Sequence, residues 1–155
     1  MSVGQSLELR FSPASREDIP VIFSMAKALV DTYEDLSAID YDKVMAWMRH
    51  KISENISDYT CVHVGTEKAG YYHLTPETDQ AELDDLYVLP CFRGHGIGTA
   101  IVKRCIEQAN GALYLYVFKG NAVAIKLYSR MGFSVSQNVS KTRMIMRLEV
   151  DRQQR

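Results

Sequence analysis

Long apolar runs are missing from this chain of 155 residues. None approaches the roughly 18 to 20 apolar positions that a membrane helix needs, and the opening MSVGQSLELR has neither a basic stretch followed by an apolar one nor a cleavage signal. No membrane partner is expected, and a cytoplasmic location is. Cysteine is scarce as well: Cys61, Cys91 and Cys105 are odd in number and widely spaced, which argues against a disulfide framework and fits a reducing compartment. Excess charge of either sign is absent. Eighteen Lys and Arg against 19 Asp and Glu leave a net of −1, which is not the balance of a protein that grips nucleic acid by its phosphates, so no nucleic-acid partner is expected. Repeats and low-complexity segments are lacking too. What is present, 46% apolar and 24% charged residues, fits one globular domain over 1–155 with a sizeable core.

The near-zero total conceals a gradient. Residues 1–87 hold 7 basic and 16 acidic side chains, a net of −9, whereas residues 88–155 hold 11 and 3, a net of +8. Such an asymmetry calls for an explanation.

Alternation of Leu, Glu, Leu, Arg and Phe over 7–11 predicts a strand with one buried face. Ser15 and Asp18 resemble a capping box, and Ile22, Met25, Ala26, Leu29, Val30 and Tyr33 then recur at helical spacing, with Pro20 near the first turn where its missing N–H is tolerated. A second helix is expected over 41–53, capped by Asp40, with Val44, Trp47, Met48 and Ile52 on one face. Strands over 60–64, 69–74 and 81–88, the first two joined by a turn at 65–68, read as an antiparallel meander. A helix over 96–110, a strand over 112–118, a short helix over 121–131 and a hairpin of 133–136 with 142–150 complete the chain. Strand, helix and strand between 81 and 118 leave room for a crossover, so those two strands should run parallel. The expected fold is α+β in three layers: a mixed, mostly antiparallel sheet with a central parallel pair and helices on both faces.

The stretch 83–99, LDDLYVLPCFRGHGIGT, joins an acidic strand to a helix through a glycine-rich loop. Glycines let the main chain turn sharply and approach a ligand, and the free amides opening a helix attract phosphate. Two phosphate loops fail on spacing. The dinucleotide fingerprint needs G-x-G-x-x-G where this chain has G-x-G-x-G, and no G-x-x-x-x-G-K-[ST] string exists.

Arg93-Gly94-His95-Gly96-Ile97-Gly98 fits R/Q-x-x-G-x-G/A, and it follows Asp84-Asp85-Leu86-Tyr87-Val88-Leu89-Pro90. Further on stand Asn121, Ala124, Leu127, Tyr128, Gly132 and Phe133, in the pattern Asn-x-x-Ala-x-x-(Leu/Phe)-Tyr-x-x-x-Gly-Phe. With both motifs in order, the chain over about 7–150 resembles the GNAT superfamily of acetyl-CoA-dependent N-acyltransferases. The resemblance implies that acetyl-CoA lies where the two parallel strands splay. Main-chain groups of Leu86, Tyr87 and Val88 would pair with the pantetheine, amides of Gly94, His95, Gly96, Ile97, Gly98 and Thr99 would cradle the pyrophosphate, Arg93 would add charge, and Asn121 would touch the pantetheine arm.

Amine acylation needs a neutral nucleophile, a stabilised oxyanion and a protonated leaving thiolate. An alkyl amine titrates near pH 10, so a carboxylate should take its proton. Asp84 and Asp85 are the candidates, with Glu82 just upstream. Neighbours in a regular strand face opposite ways, so at most one of each adjacent pair reaches the cleft unless the bulge common in the family intervenes, and the choice stays open. The resemblance makes Tyr128 the proton donor to the sulfur and the Val88 amide the oxyanion donor. No metal is expected: Cys61, His63 and His73 supply neither four ligands nor a compact spacing.

Acidic stretches at Asp31–Asp42 and Glu77–Asp85, interleaved with Tyr33, Tyr41, Tyr71, Tyr72 and Tyr87, suggest a cationic acceptor: a small molecule such as a polyamine or aminoglycoside, or a peptide or protein amine. Two alternatives stand beside this. One is an enzyme that uses another acyl-CoA, and the other is a non-catalytic module that binds acetyl-CoA. A monomer and a homodimer both fit.

Overall fold

A computed structural model describes residues 8–150, so Leu7, the first position of the strand expected over 7–11, lies outside the described residues. The elements run β1 (Leu9–Pro13), α1 (Ile19–Tyr33), α2 (Tyr41–Glu54), β2 (Thr60–Val64), β3 (Glu67–Pro76), β4 (Gln80–Val88), α3 (Ile97–Gln108), β5 (Ala112–Phe118), α4 (Ala122–Arg130), β6 (Ser134–Asn138) and β7 (Arg143–Glu149). The strands form one sheet in the order β1-β2-β3-β4-β5-β7-β6. Every neighbouring pair is antiparallel except β4 and β5, which run parallel as the crossover requires.

Helices cover both faces. On one, α1 and α2 bury Ile22, Phe23, Val30, Met48 and Ile52 against Tyr59, Tyr71 and Tyr87. On the other, α3 and α4 bury Ile97, Ile101, Val102, Cys105 and Tyr128 against Leu83, Leu113 and Leu115. Each large apolar side chain buried this way contributes about 1.5–3 kcal/mol. Local signals start the helices where expected: Asp40 accepts from the Lys43 N–H over 3.2 Å at the head of α2, and Asn121 does the same for Ala124 over 3.2 Å at the head of α4.

Two expectations change. Trp47 does not join the buried face of α2 but is 61% exposed. The turn expected at 65–68 tightens to Gly65-Thr66, since Val64 already pairs with Glu67 and β3 starts there.

Two irregularities in the sheet open and shape a cleft. The parallel ladder between β4 and β5 holds only from Gln80–Ala112 to Glu82–Tyr114, while β5 stays paired with β7 along its whole length. Beyond Glu82 the strands part. The second irregularity lies in β4, where His73 pairs with Asp85 and Leu74 with Leu83, leaving Asp84 as an extra residue in a bulge.

Candidate active site

The gap between β4 and β5 is edged by free main chain. Leu89 N–H donates to Ala69 O in β3 over 2.8 Å, so the Val88 carbonyl, on the other side of that peptide, turns into the gap, where Arg93 Nε donates to it over 3.0 Å. By the alternation of an antiparallel ladder, Leu86 and Val88 direct their N–H and C=O groups to the gap. Those of Tyr87, opposite Tyr71, are committed to β3. The edge depends on Gly70, which no motif in the sequence singles out. A Cβ there would sit 2.4 Å from the Tyr87 carbonyl oxygen, so only glycine lets β3 lie this close to the end of β4.

From this edge the chain passes through the loop into α3. Gly94 and Gly96 both take φ of +81°, a left-handed conformation that suits glycine, and a Cβ on either would project into open space. The first turn of α3 follows at once: Ala100 N–H is the first to reach back to Gly96 O, over 3.0 Å, so the amides of Ile97, Gly98 and Thr99 precede the helical ladder. A cavity of about 230 Å³ opens beside them, lined by Leu9, His95, Gly96, Ile97, Thr99, Ala100 and Lys103. Gly98 brings α3 against α4, its Cα region lying near Leu127. These main-chain groups suit a phosphate-bearing ligand, and the loop leaves open the space that side chains would fill.

Across the gap, Tyr128 of α4 is 7% exposed and tilts against Phe133 at 5.6 Å between ring centroids. Its hydroxyl has no hydrogen-bond partner among the described residues. Burial, with smaller contributions from Cys105 and Asp85, holds its pKa above the usual tyrosine value, so the proton stays on. Asn121 spends its Oδ1 on the α4 cap, which leaves Nδ2 for other partners.

The carboxylates form a compact group on the α1–α2 face. The bulge intervenes and turns both Asp84 and Asp85 to this side, where a regular strand would have turned only one. Lys51 of α2, which belongs to no sequence motif, bridges them: its Nζ lies 2.8 Å from Asp84 Oδ1 and 3.8 Å from Asp85 Oδ2. Asp84 Oδ2 is 3.3 Å from His73 Nδ1. Asp85 accepts from Tyr59 in a short hydrogen bond and from Tyr87 over 2.9 Å. Burial drives the Asp84 pKa upward, but His73 and Lys51 more than offset it and hold the carboxyl below its ordinary value. Burial dominates at Asp85 and raises it.

Glu82 differs from both. It stands at the last rung of the parallel ladder, opposite Tyr114, and its carboxylate makes no hydrogen bond or ion pair among the described residues. Burial first and the Asp84 charge second push its pKa up to about 7, with Lys51 pulling the other way. A free carboxylate that titrates near neutrality suits proton transfer better than two that are already held. Acidity and burial fall on Glu82 together only once the strand pairings are known.

The aromatic residues divide differently from the expectation. Tyr71 and Tyr87 are core residues on the α1–α2 face, and Tyr72 is buried on the other face, where its hydroxyl accepts from Arg104 over 2.9 Å. Tyr41 donates to Asp31 over 2.7 Å, and Tyr33 stacks on Phe118 at 6.1 Å. The exposed aromatic surface belongs instead to Trp47 and to Tyr116, which is 42% exposed. Nor is the acidic half bare, since Lys51 pairs with Asp84 and Asp85 while Lys68 and Tyr71 hold Asp18 at 2.8 and 2.6 Å. Cys61 packs in the core beside Tyr71, His63 lies 2.8 Å from the Ser12 hydroxyl, and His73 stacks on Tyr59 at 4.6 Å.

Among the described residues no helix is long and apolar enough to cross a membrane. A model of the acetyltransferase (GNAT) family matches residues 23–133. The chain is 38% identical over 73 residues to an uncharacterised N-acetyltransferase of Methanocaldococcus jannaschii, covering 44% of this chain and 32% of that one. It is 27% identical over 106 residues to a mycothiol acetyltransferase of Corynebacterium glutamicum, covering 59% and 36%. The chain thus spans about a third of the length of the curated relatives it matches. Among solved structures, the PaiA N-acetyltransferase of Thermoplasma acidophilum in complex with coenzyme A superposes with a TM-score of 0.67 at 19% identity, over 92% of this chain and 99% of that one.

Proposed function

The chain belongs to the GNAT acetyltransferase family, and from that premise we propose that it transfers an acetyl group from acetyl-CoA directly to a primary amine. The observation that carries the reading is the parting of β4 from β5 after Glu82, which leaves one strand edge unpaired beside a helix N-terminus and a carboxylate. An extended pantetheine has the shape of the missing strand. Leu86 and Val88 offer it N–H and C=O groups, the first-turn amides Ile97, Gly98 and Thr99 together with the Gly94–Gly96 loop offer donors to the pyrophosphate, and Asn121 Nδ2 faces the arm from α4. Arg93 acts here through the Val88 carbonyl, tying the loop to the end of β4.

The chemistry then falls to three groups. Glu82, directly or through a water, takes a proton from the acceptor amine as nitrogen attacks the thioester carbon. The Val88 amide meets the negative charge that develops on the carbonyl oxygen. Tyr128, its proton retained by burial, gives that proton to the departing sulfur. Asp84 and Asp85 shape the field around Glu82 rather than accept the proton, because each is already held by other side chains. Acceptors are primary amines of small cationic molecules or of peptides, approaching from the α1–α2 face past Trp47 and Tyr116.

Release of free thiol from acetyl-CoA, followed across a panel of polyamines, aminoglycosides and peptide amines, tests the reading. Thiol release that depends on both acetyl-CoA and a primary amine is expected. Coenzyme A binding without thiol release for any amine would reduce the chain to a binding module, and release only with longer acyl-CoAs would reassign the donor.

A further inference from the structure

Lys51 is the cation of the acidic group, and neither motif contains it. It projects from the last turns of α2, and its side chain is 23% exposed. The ammonium lies 2.8 Å from Asp84 and 3.8 Å from Asp85, with the Trp47 ring 5.5 Å away. The other carboxylate contacts are the hydroxyls of Tyr59 and Tyr87 on Asp85 and the His73 ring beside Asp84. Removing the ammonium would leave two close aspartates without their fixed positive charge.

We propose that Lys51 is a positioning residue for acyl transfer: held between Asp84 and Asp85, its ammonium cancels carboxylate charge next to Glu82 and keeps Glu82 able to accept a proton at neutral pH. The proposal rests on the reading of Glu82 as the base. Glu82 has no partner of its own among the described residues, so its protonation follows the surrounding field. Charges bear on it from each neighbouring element: Asp84 and Asp85 along β4, Glu77 just past the end of β3, and Lys51 from α2. Tyr114 of β5, across the last rung, directs its hydroxyl to Glu77 over 2.6 Å. Three of these neighbours are carboxylates that disfavour ionisation of Glu82, and Lys51 is the cation that opposes them.

Acceptor choice is affected as well. With Lys51 in place, Asp84 and Asp85 are occupied and do not serve as a docking site for a second ammonium. An incoming amine therefore meets Glu82 alone.

The test is the pH profile of kcat/KM for the wild type, Lys51→Met, Lys51→Arg, Asp84→Asn and Glu82→Gln. Lys51→Met is expected to move the acid limb up by about one pH unit, with the loss at neutral pH recovered in alkaline buffer. Lys51→Arg should keep the wild-type limb, and Asp84→Asn, which removes a charge of the opposite sign, should move it down. Should Lys51→Met fail to fold, the Arg and Asn variants carry the test, and an unmoved limb in Asp84→Asn overturns the proposal. A uniform loss at all pH values in Lys51→Met also overturns it, since that is the signature of a purely structural salt bridge. Glu82→Gln separates the two layers: an acid limb that survives there refutes Glu82 as the base, whereas a limb that vanishes there but stays put in Lys51→Met refutes the role of Lys51 alone.

Discussion

On the side of the gap between β4 and β5 proposed for the cofactor, the polar groups belong mainly to the main chain, from Leu86 and Val88 through the glycine loop to the first turn of α3. On the side proposed for the acceptor they belong to side chains from several elements: Glu82, Asp84 and Asp85 of β4, Lys51 of α2, His73 of β3 and Tyr59 before β2. A main-chain site is insensitive to most side-chain changes but depends on φ and on the absence of Cβ atoms. A side-chain site reacts to single charges, because each carboxylate feels the others through a partly buried medium. The first material suits a donor that is always the same molecule. The second allows the acceptor and the working pH to change without disturbing the first.

That division is sharpest where one glycine is replaced. Gly96→Val puts a branched side chain at φ +81° and fills the open space beside the loop, so coenzyme A binding by calorimetry should weaken by more than about a thousandfold, with the circular dichroism spectrum retained. Wild-type affinity would mean that the loop does not hold the phosphates. On the other side, Glu82→Gln should lower kcat by about 10² to 10³ while coenzyme A affinity stays within about twofold. In the wild type, activity should fall as the pH drops through about 7, because the base must be ionised and its pKa is raised to that value. Tyr128→Phe removes a proton donor but little contact area. A fall in kcat of about tenfold or more is expected with acetyl-CoA affinity preserved, and unchanged turnover would cancel the general-acid role. The smallest effect is expected of His95→Ala: this side chain is exposed and only its amide belongs to the proposed cradle, so calorimetry should register less than about a threefold change. A large effect would break the comparison by making the cofactor side depend on a side chain.

The same contrast explains what was legible in the sequence. Periodicity placed the helices and the strands, because one buried face imposes a period of 3.6 or 2 on the chain itself. The glycine loop and the parallel pair were readable for a similar reason: spacing along one segment and the length of one crossover carry the information. The acceptor side was not readable in this way, since the partners of Asp84 and Asp85 come from Lys51, Tyr59 and His73, brought together by pairings that no single segment displays. One signal was nevertheless present. In β4 the residues facing α3 and α4 are Ala81 and Leu83, then Leu86 and Val88, a step of three where a regular strand steps by two. That slip marks the bulge at Asp84. Trp47 misled for the opposite reason: it fits the helical stripe of α2, but its ring stays exposed at the rim, with the Lys51 ammonium 5.5 Å away.

Amide-resolved NMR during a titration with coenzyme A tests most directly whether the gap receives the cofactor as an added strand. The amides of Leu86, Val88, Ile97, Gly98 and Thr99 should shift and become protected from exchange, while the Tyr87 amide, already bonded to β3, changes little. Perturbations centred on α1 and α2, or none along β4 and the first turn of α3, would contradict it.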